Sequence, residues 1–214
     1  MRSEIIGRGL LGVALAASVM AAAPQPKITV LVYDYAEVPL KTLVSAQQQA
    51  ATIFNTAGIE IEWRHGFPAP NEAVPAYPPV GGPDKLEVLI LSRAMVSRMK
   101  PGLNDLARAL LPNSSGFGTV VYIYADRCRE LVSGRGWAYG SILGHILAHE
   151  LGHLLLGLGA HRTGSIMQPN WGENELCRAL QRRMLFPSWQ AEQMRAQVVA
   201  RIGDSATLLK MRRQ

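Results

Sequence analysis

Cysteine is scarce in this chain of 214 residues, which contains only Cys128 and Cys177. Neither the spacing of the two cysteines nor their neighbours match a cysteine metal site. Cys128 has no histidine close to it in the sequence, so nothing indicates a cysteine nucleophile. In an exported protein the two thiols can form a disulfide or stay free, and we expect a structural role in either case.

Other absences exclude further classes of protein. No segment repeats with a period of about 20 to 50 residues, which excludes a solenoid, and no Gly-x-Ser-x-Gly elbow of a serine hydrolase is present. The net charge is +6, but no basic stripe interleaves with aromatic residues, so we expect no binding to nucleic acid. The length and the hydrophobic fraction of 48% suit one globular domain with a core of its own.

The first 23 residues have the layout of a secretory signal peptide. Arg2 and Arg8 give a positive start, residues 9–23 are uncharged and mostly apolar, and Ala21–Ala23 offers a cleavage site. The apolar run is too short for a comfortable membrane span, and an uncleaved N-terminal anchor is the alternative. We therefore expect a signal at 1–23, a single domain at 24–214 without a stable membrane span, and a secreted or periplasmic location.

The order of predicted elements, with a mixed twisted sheet first and helices after it, is typical of an α+β or an open α/β domain, and we expect α+β. The chain opens strand, helix, strand, which is typical of two parallel strands joined by a crossover. Residues 66–83 contain six prolines and are predicted to form a long loop. The predicted strands are Lys27–Tyr35, Ile59–Trp63, Leu86–Leu91 and Thr119–Tyr124, and the predicted helices are Pro39–Phe54, Leu103–Leu111, Trp137–Leu158, Glu173–Leu185 and Ser188–Ile202.

The longest apolar helix contains the sequence His149-Glu150-Leu151-Gly152-His153, an H-E-x-x-H pattern. Residues four apart lie on one face of a helix, so both imidazoles can point at one metal ion. Glu150 is next to His149 around the helix, where its carboxylate can reach a water on that ion. Burying three such groups without a common partner would be costly, and Zn²⁺ is the ion that this donor set suits best.

A catalytic zinc ion needs a third protein ligand, and two candidates follow in the sequence. His161 comes after Gly157 and Gly159, which can end the helix and turn the chain back toward the metal. The rival is an acid from the next helix, Glu173 or Glu175, although acids in a first helical turn also serve the helix dipole. His145 lies one turn before His149 and can act as a fourth ligand, support a ligand or pack in the core, whereas His65, in a predicted turn, receives no role.

The stretch HELGHLLLGLGAH, followed by SIMQP, resembles the metzincin zinc peptidases, and in style the matrix-metalloproteinase-like branch. The resemblance covers roughly residues 145–171. It implies that His149, His153 and His161 bind Zn²⁺, that Glu150 is the general base and that Met167 forms an apolar floor under the metal. The sequence departs from the family pattern in one respect, because His161 follows His153 by eight residues where the family has six.

The resemblance implies a secreted zinc endopeptidase in which Glu150 takes a proton from a zinc-activated water that attacks a peptide bond of a peptide or protein substrate. The alternative is an exported zinc-binding protein without peptidase activity. A domain without metal, in which the motif is a coincidence, is the third possibility.

Overall fold

The computed structural model describes residues 24–67, 82–112 and 118–211. The predicted signal at 1–23 and most of the proline-rich segment lie outside these residues. Within them the chain forms a mixed α/β fold. The strands are β1 (Lys27–Asp34), β2 (Glu60–His65), β3 (Lys85–Leu91), β4 (Ala107–Leu110) and β5 (Val120–Tyr124), and the helices are α1 (Leu40–Thr56), α2 (Arg93–Met99), α3 (Ala125–Val132), α4 (Tyr139–Leu156), α5 (Glu173–Leu180) and α6 (Ser188–Met211).

The five strands form one sheet in the order β2-β1-β3-β5-β4. The strands β2, β1, β3 and β5 run parallel, whereas β4 pairs antiparallel with β5. The predicted strand-helix-strand opening and the predicted mixed sheet are therefore confirmed. The antiparallel strand β4 lies at the edge of the sheet, and no strand of the described residues pairs with the other side of its backbone.

The larger hydrophobic core lies between one face of the sheet and helices α1 and α4. Val88 and Ile90 point into this core, and their strand neighbours Leu89 and Leu91 point to a smaller core beside α2 on the other face. Helices α1 and α4 approach closely at Gly144, where a Cβ atom would lie 2.6 Å from the backbone oxygen of Ala46. Close packing fixes the position of α4, the helix that carries the H-E-x-x-H pattern.

Helix α6 packs against α4 and holds its C-terminal end. The side chain of Arg201 is fully buried. Its guanidinium donates hydrogen bonds to the backbone oxygens of Pro83, Gly118 and Leu154, at 2.5–3.0 Å. One side chain thus connects three segments of the chain near the end of α4.

Two sequence predictions are wrong. Residues 103–111 do not form a helix: they make a turn and then the edge strand β4, because pairing with β5 satisfies the backbone. His65 is the last residue of β2 and not part of a turn. Helices α2 and α3 were not predicted, α5 ends at Leu180, and α6 continues to Met211.

Both cysteines are free: Cys128 is buried in α3, where its thiol donates to the Leu106 backbone oxygen, and Cys177 lies on α5. The disulfide alternative is therefore not adopted. Across residues 24–67, 82–112 and 118–211, no helix has the length and apolar character needed to span a membrane.

Candidate metal centre

Three histidines come together at the C-terminal half of α4 and the turn after it. The Nε2 atom of His153 lies 3.1 Å from Nε2 of His149 and 3.1 Å from Nε2 of His161. In the part of the chain that the structure describes, these three residues form the group able to hold a metal ion, with all ligand atoms within 4.8 Å of one another. Helical spacing places His149 and His153 together, and the turn returns His161 to them.

The donor set fits Zn²⁺. Nitrogen ligands about 2.0–2.1 Å from a tetrahedral zinc ion lie about 3.3–3.4 Å from one another, close to the observed 3.1 Å. His149 Nδ1 donates to the Ile166 backbone oxygen at 2.8 Å, which leaves its Nε2 lone pair directed at the cluster. A cation between the three rings would stabilise this arrangement, in which the ring nitrogens face one another.

His149 and His153 are in the protonation state that metal binding requires. Burial lowers the pKa of His149 to about 4, and burial together with its two histidine neighbours lowers the pKa of His153 to about 3. Both side chains are therefore neutral near pH 7, and a metal ion does not have to displace a proton from them.

Glu150 is buried on the side of α4 that faces β4. Burial raises the pKa of its carboxyl to about 7, while a hydrogen bond from the Ala109 backbone N–H opposes this rise. A carboxyl group that exchanges its proton near neutral pH suits general acid–base chemistry. The edge strand therefore helps to determine the proton affinity of the predicted base.

Met167 lies under the helix at the level of Gly152. It is fully buried, and a Cβ atom on Gly152 would be 2.8 Å from its sulfur atom. The Met167 backbone N–H donates to Ser165 Oγ, and its backbone oxygen accepts from the Arg162 N–H. The glycine of the H-E-x-x-H pattern thus lets Met167 pack directly against α4.

The rival ligands lie elsewhere. Glu175 accepts a hydrogen bond from the Gly172 backbone N–H at the start of α5, and neither Glu173 nor Glu175 belongs to the metal group formed by the described residues. His145 is buried one turn away, where its Nδ1 donates to the Ser141 backbone oxygen at 2.8 Å. Its position favours a packing role over that of a fourth ligand.

A cleft of about 890 Å³ opens above the cluster. One wall is the loop before β4 together with β4 itself, and Arg127 of α3 holds this loop by donating to the Asp105 backbone oxygen at 2.8 Å. The other wall includes Leu158 and Trp171, whose indole ring lies nearly perpendicular to the His149 ring with the two ring centroids 6.0 Å apart. His149, Glu150, His153 and His161 all line the cleft, so the metal cluster and the predicted base face the same space.

Sequence reasoning did not identify three parts of this site. The Ile166 carbonyl that orients His149, the edge strand that binds Glu150 and the Arg127 side chain that holds the cleft wall all depend on contacts between distant segments. Of these three, only Ile166 had a signal in the sequence, because it directly precedes Met167 in the stretch that resembles the family motif.

No protein-family profile matches the sequence, and no curated protein matches it. Among solved structures the chain is similar to a zinc-dependent peptidase from Methanocorpusculum labreanum, with 16% identity over 78% of this chain and 99% of that one and a TM-score of 0.47. It is also similar to archaemetzincin from Methanopyrus kandleri, with 13% identity over 83% of this chain and 99% of that one and a TM-score of 0.46. Likeness at this level leaves the chemistry to be argued from the residues of the site itself.

Proposed function

We propose that this chain is a metzincin-like zinc endopeptidase that is exported, either secreted or periplasmic, after removal of residues 1–23. The observation that carries the proposal is the convergence of three histidine nitrogens beside a buried glutamate, all at the floor of one cleft. His149, His153 and His161 would hold Zn²⁺, which supplies Lewis-acid chemistry when bound, acidifying water and polarising a carbonyl group.

Proton transfer in the proposed reaction is assigned to a residue of the chain itself. Glu150 accepts the proton of the attacking water and delivers it to the leaving amine, a role that suits a carboxyl group lining the same cleft as the three histidines. Burial of the carboxyl group and its hydrogen bond from Ala109 keep it directed at the cleft.

The edge strand β4 provides the means to bind an extended peptide. Within residues 24–67, 82–112 and 118–211 no strand pairs with its outer side, and residues 103–109 form one wall of the cleft. An extended chain can add to such an edge by backbone hydrogen bonds, which places its peptide bonds next to the metal site without requiring a particular sequence. This geometry favours cleavage within a chain over the removal of terminal residues.

The first test is metal content, measured by elemental mass spectrometry on the purified protein. We expect one zinc ion per chain, lost in His149→Ala and His153→Ala, strongly reduced in His161→Ala and retained in His65→Ala, which changes an exposed histidine of β2. A parent protein that binds no zinc after incubation with it would contradict the proposal. Unchanged zinc affinity in His161→Ala would transfer the third-ligand role to Glu173 or Glu175.

The second test separates a peptidase from a zinc-binding protein without activity. An unfolded protein is incubated with the zinc-loaded chain, and new termini are identified by mass spectrometry. We expect internal cleavage sites with the parent and none with Glu150→Ala, which should keep its zinc. Zinc binding without any cleavage by the parent would support the alternative of an exported zinc-binding protein.

A further inference from the structure

The turn that brings His161 to the metal group has little in its own structure to fix it. Gly157 and Gly159 have φ angles of 79° and 77°. Apart from the glycine itself and its two chain neighbours, no heavy atom of the described residues lies within 4 Å of the place where a Cβ would stand on either residue. The turn is two residues longer than in the family that the sequence resembles, and His161 is exposed. A longer and more open turn allows the third histidine more positions, so other contacts have to select one.

On the C-terminal side of His161 the Arg162 backbone N–H donates to the Met167 backbone oxygen at 2.8 Å. On its N-terminal side helix α6 supplies a contact through the side chain of Gln190. This side chain is fully buried, and its Nε2 donates to the backbone oxygen of Ala160 at 2.8 Å. Ala160 directly precedes His161, so the hydrogen bond holds the peptide group that leads into the third histidine. Gln193, one turn further along α6, approaches the backbone oxygen of Leu156 at 3.4 Å, at the other end of the turn.

Burying the polar side chain of Gln190 at this position carries a free-energy penalty. The Oε1 atom of Gln190 is buried and makes no hydrogen bond to the part of the chain that the structure describes. Methionine would fill a similar volume without leaving a buried acceptor unsatisfied. What methionine cannot do is donate to the Ala160 carbonyl, and this donation is the contribution specific to glutamine.

We infer that Gln190 is a positioning residue for the metal centre, which holds the Ala160 peptide and thereby keeps His161 in place as the third ligand. The inference rests on the proposed zinc site and adds to it a residue that lies twenty-nine positions after His161 in the sequence. It predicts that the affinity for zinc depends on a side chain that does not touch the metal.

The experiment compares zinc dissociation constants of the parent and Gln190→Met, measured by competition with a chromogenic chelator. We expect zinc to bind about tenfold to a hundredfold more weakly to the variant, the range found when groups that orient metal ligands are removed. The same substitution in a His161→Ala background should leave the remaining affinity unchanged, because the ligand through which Gln190 acts is already absent.

The control is Val198→Ala, which removes buried atoms from the same helix two turns away. It should lower the unfolding temperature without changing the zinc affinity of the folded protein, and this distinguishes positioning from a general loss of stability. Equal affinity in the parent and Gln190→Met overturns the inference, as does an equal loss in the His161→Ala background. A parent that binds no zinc overturns the proposed function as well, so the two failures are distinguishable.

If Gln190→Met does not fold, the unaltered protein provides the test. In ¹⁵N-labelled protein the Gln190 side-chain amide should exchange with solvent more slowly than those of exposed glutamines, and its signals should shift when zinc is added. Rapid exchange with no response to zinc would overturn the inference.

Discussion

The buried carboxyl group of Glu150 should make the stability of the zinc-free protein depend on pH in a specific direction. Burial is the main cause that raises its pKa from the ordinary 4.5 to about 7. A difference of this size corresponds to about 3 kcal/mol in the free energy of unfolding. The substitution Glu150→Gln removes the ionisable group while keeping the shape and an oxygen that can accept from Ala109.

The sign follows from the proton count. Between pH 4.5 and about 7 the folded protein keeps the proton of Glu150 while the unfolded chain has released it. The free energy of unfolding therefore falls as the pH rises through this window. Because glutamine does not titrate, Glu150→Gln should match the parent at pH 4 and exceed its stability by about 3 kcal/mol at pH 8.

The assay is urea unfolding of zinc-free protein, prepared with a chelator, at these two pH values. All other ionisable groups are the same in the two proteins, so their effect largely cancels in the difference. Glu192→Gln, at an exposed position of α6, is the matched control and should change stability by less than about 0.5 kcal/mol at either pH. A difference between parent and Glu150→Gln that is the same at pH 4 and pH 8 would refute the argument, because the carboxyl group would then not be desolvated in the folded state. Zinc should reduce the extra stability of Glu150→Gln over the parent at pH 8, since a nearby cation favours the ionised carboxylate of the parent.

Three further predictions concern packing and the cleft. Gly144→Ala should lower the free energy of unfolding by about 1–2 kcal/mol, because its Cβ would lie 2.6 Å from the Ala46 oxygen. Its control is Gly203→Ala in α6, which has open space around it and should raise the free energy of unfolding by about 0.5–1 kcal/mol. Urea unfolding measures both variants, and equal effects would contradict the prediction. Arg201→Met should lower the free energy of unfolding by at least about 2 kcal/mol, because it removes the donor to three backbone oxygens. In the same assay Arg64→Met, which removes an exposed ion pair, should lower it by less than about 1 kcal/mol. Leu158 lies at the rim of the cleft and is 83% exposed. Leu158→Asn should leave the zinc content unchanged and lower kcat/KM by about tenfold or less, with the largest loss for peptides that have apolar side chains. An equal loss for polar peptides would exclude an apolar contact between Leu158 and the substrate.

The elements that sequence reasoning predicted well are those with local causes. Helix α4 is encoded by a continuous run of helix-compatible apolar residues, and it ends where Gly157 takes a positive φ angle. The spacing of His149 and His153 is a property of any helix, so their proximity required no knowledge of the fold. The parallel pairing of β1 and β2 followed from the order of elements and the length of the connection.

The segment around β4 shows why the rest could not be predicted. Leu103, Leu106 and Leu110 are spaced three and four residues apart, which is the pattern of an apolar helix face. In the folded chain this local preference is overridden, because residues 107–110 pair with β5 and Arg127 holds the preceding turn. Both contacts join segments that are distant in sequence, and the pattern of one segment contains no information about them.

The three histidines differ in the same way, and the difference has a consequence for the site. His149 and His153 are placed by the geometry of one helix, which varies little when the rest of the chain changes. The position of His161 depends on an open turn and on a hydrogen bond from α6 to the residue before it. Substitutions in α6 can therefore alter the third ligand and leave the first two in place, which would change metal affinity without removing the H-E-x-x-H helix. An account of this centre based on the motif alone would overlook the part of the chain on which its third ligand depends.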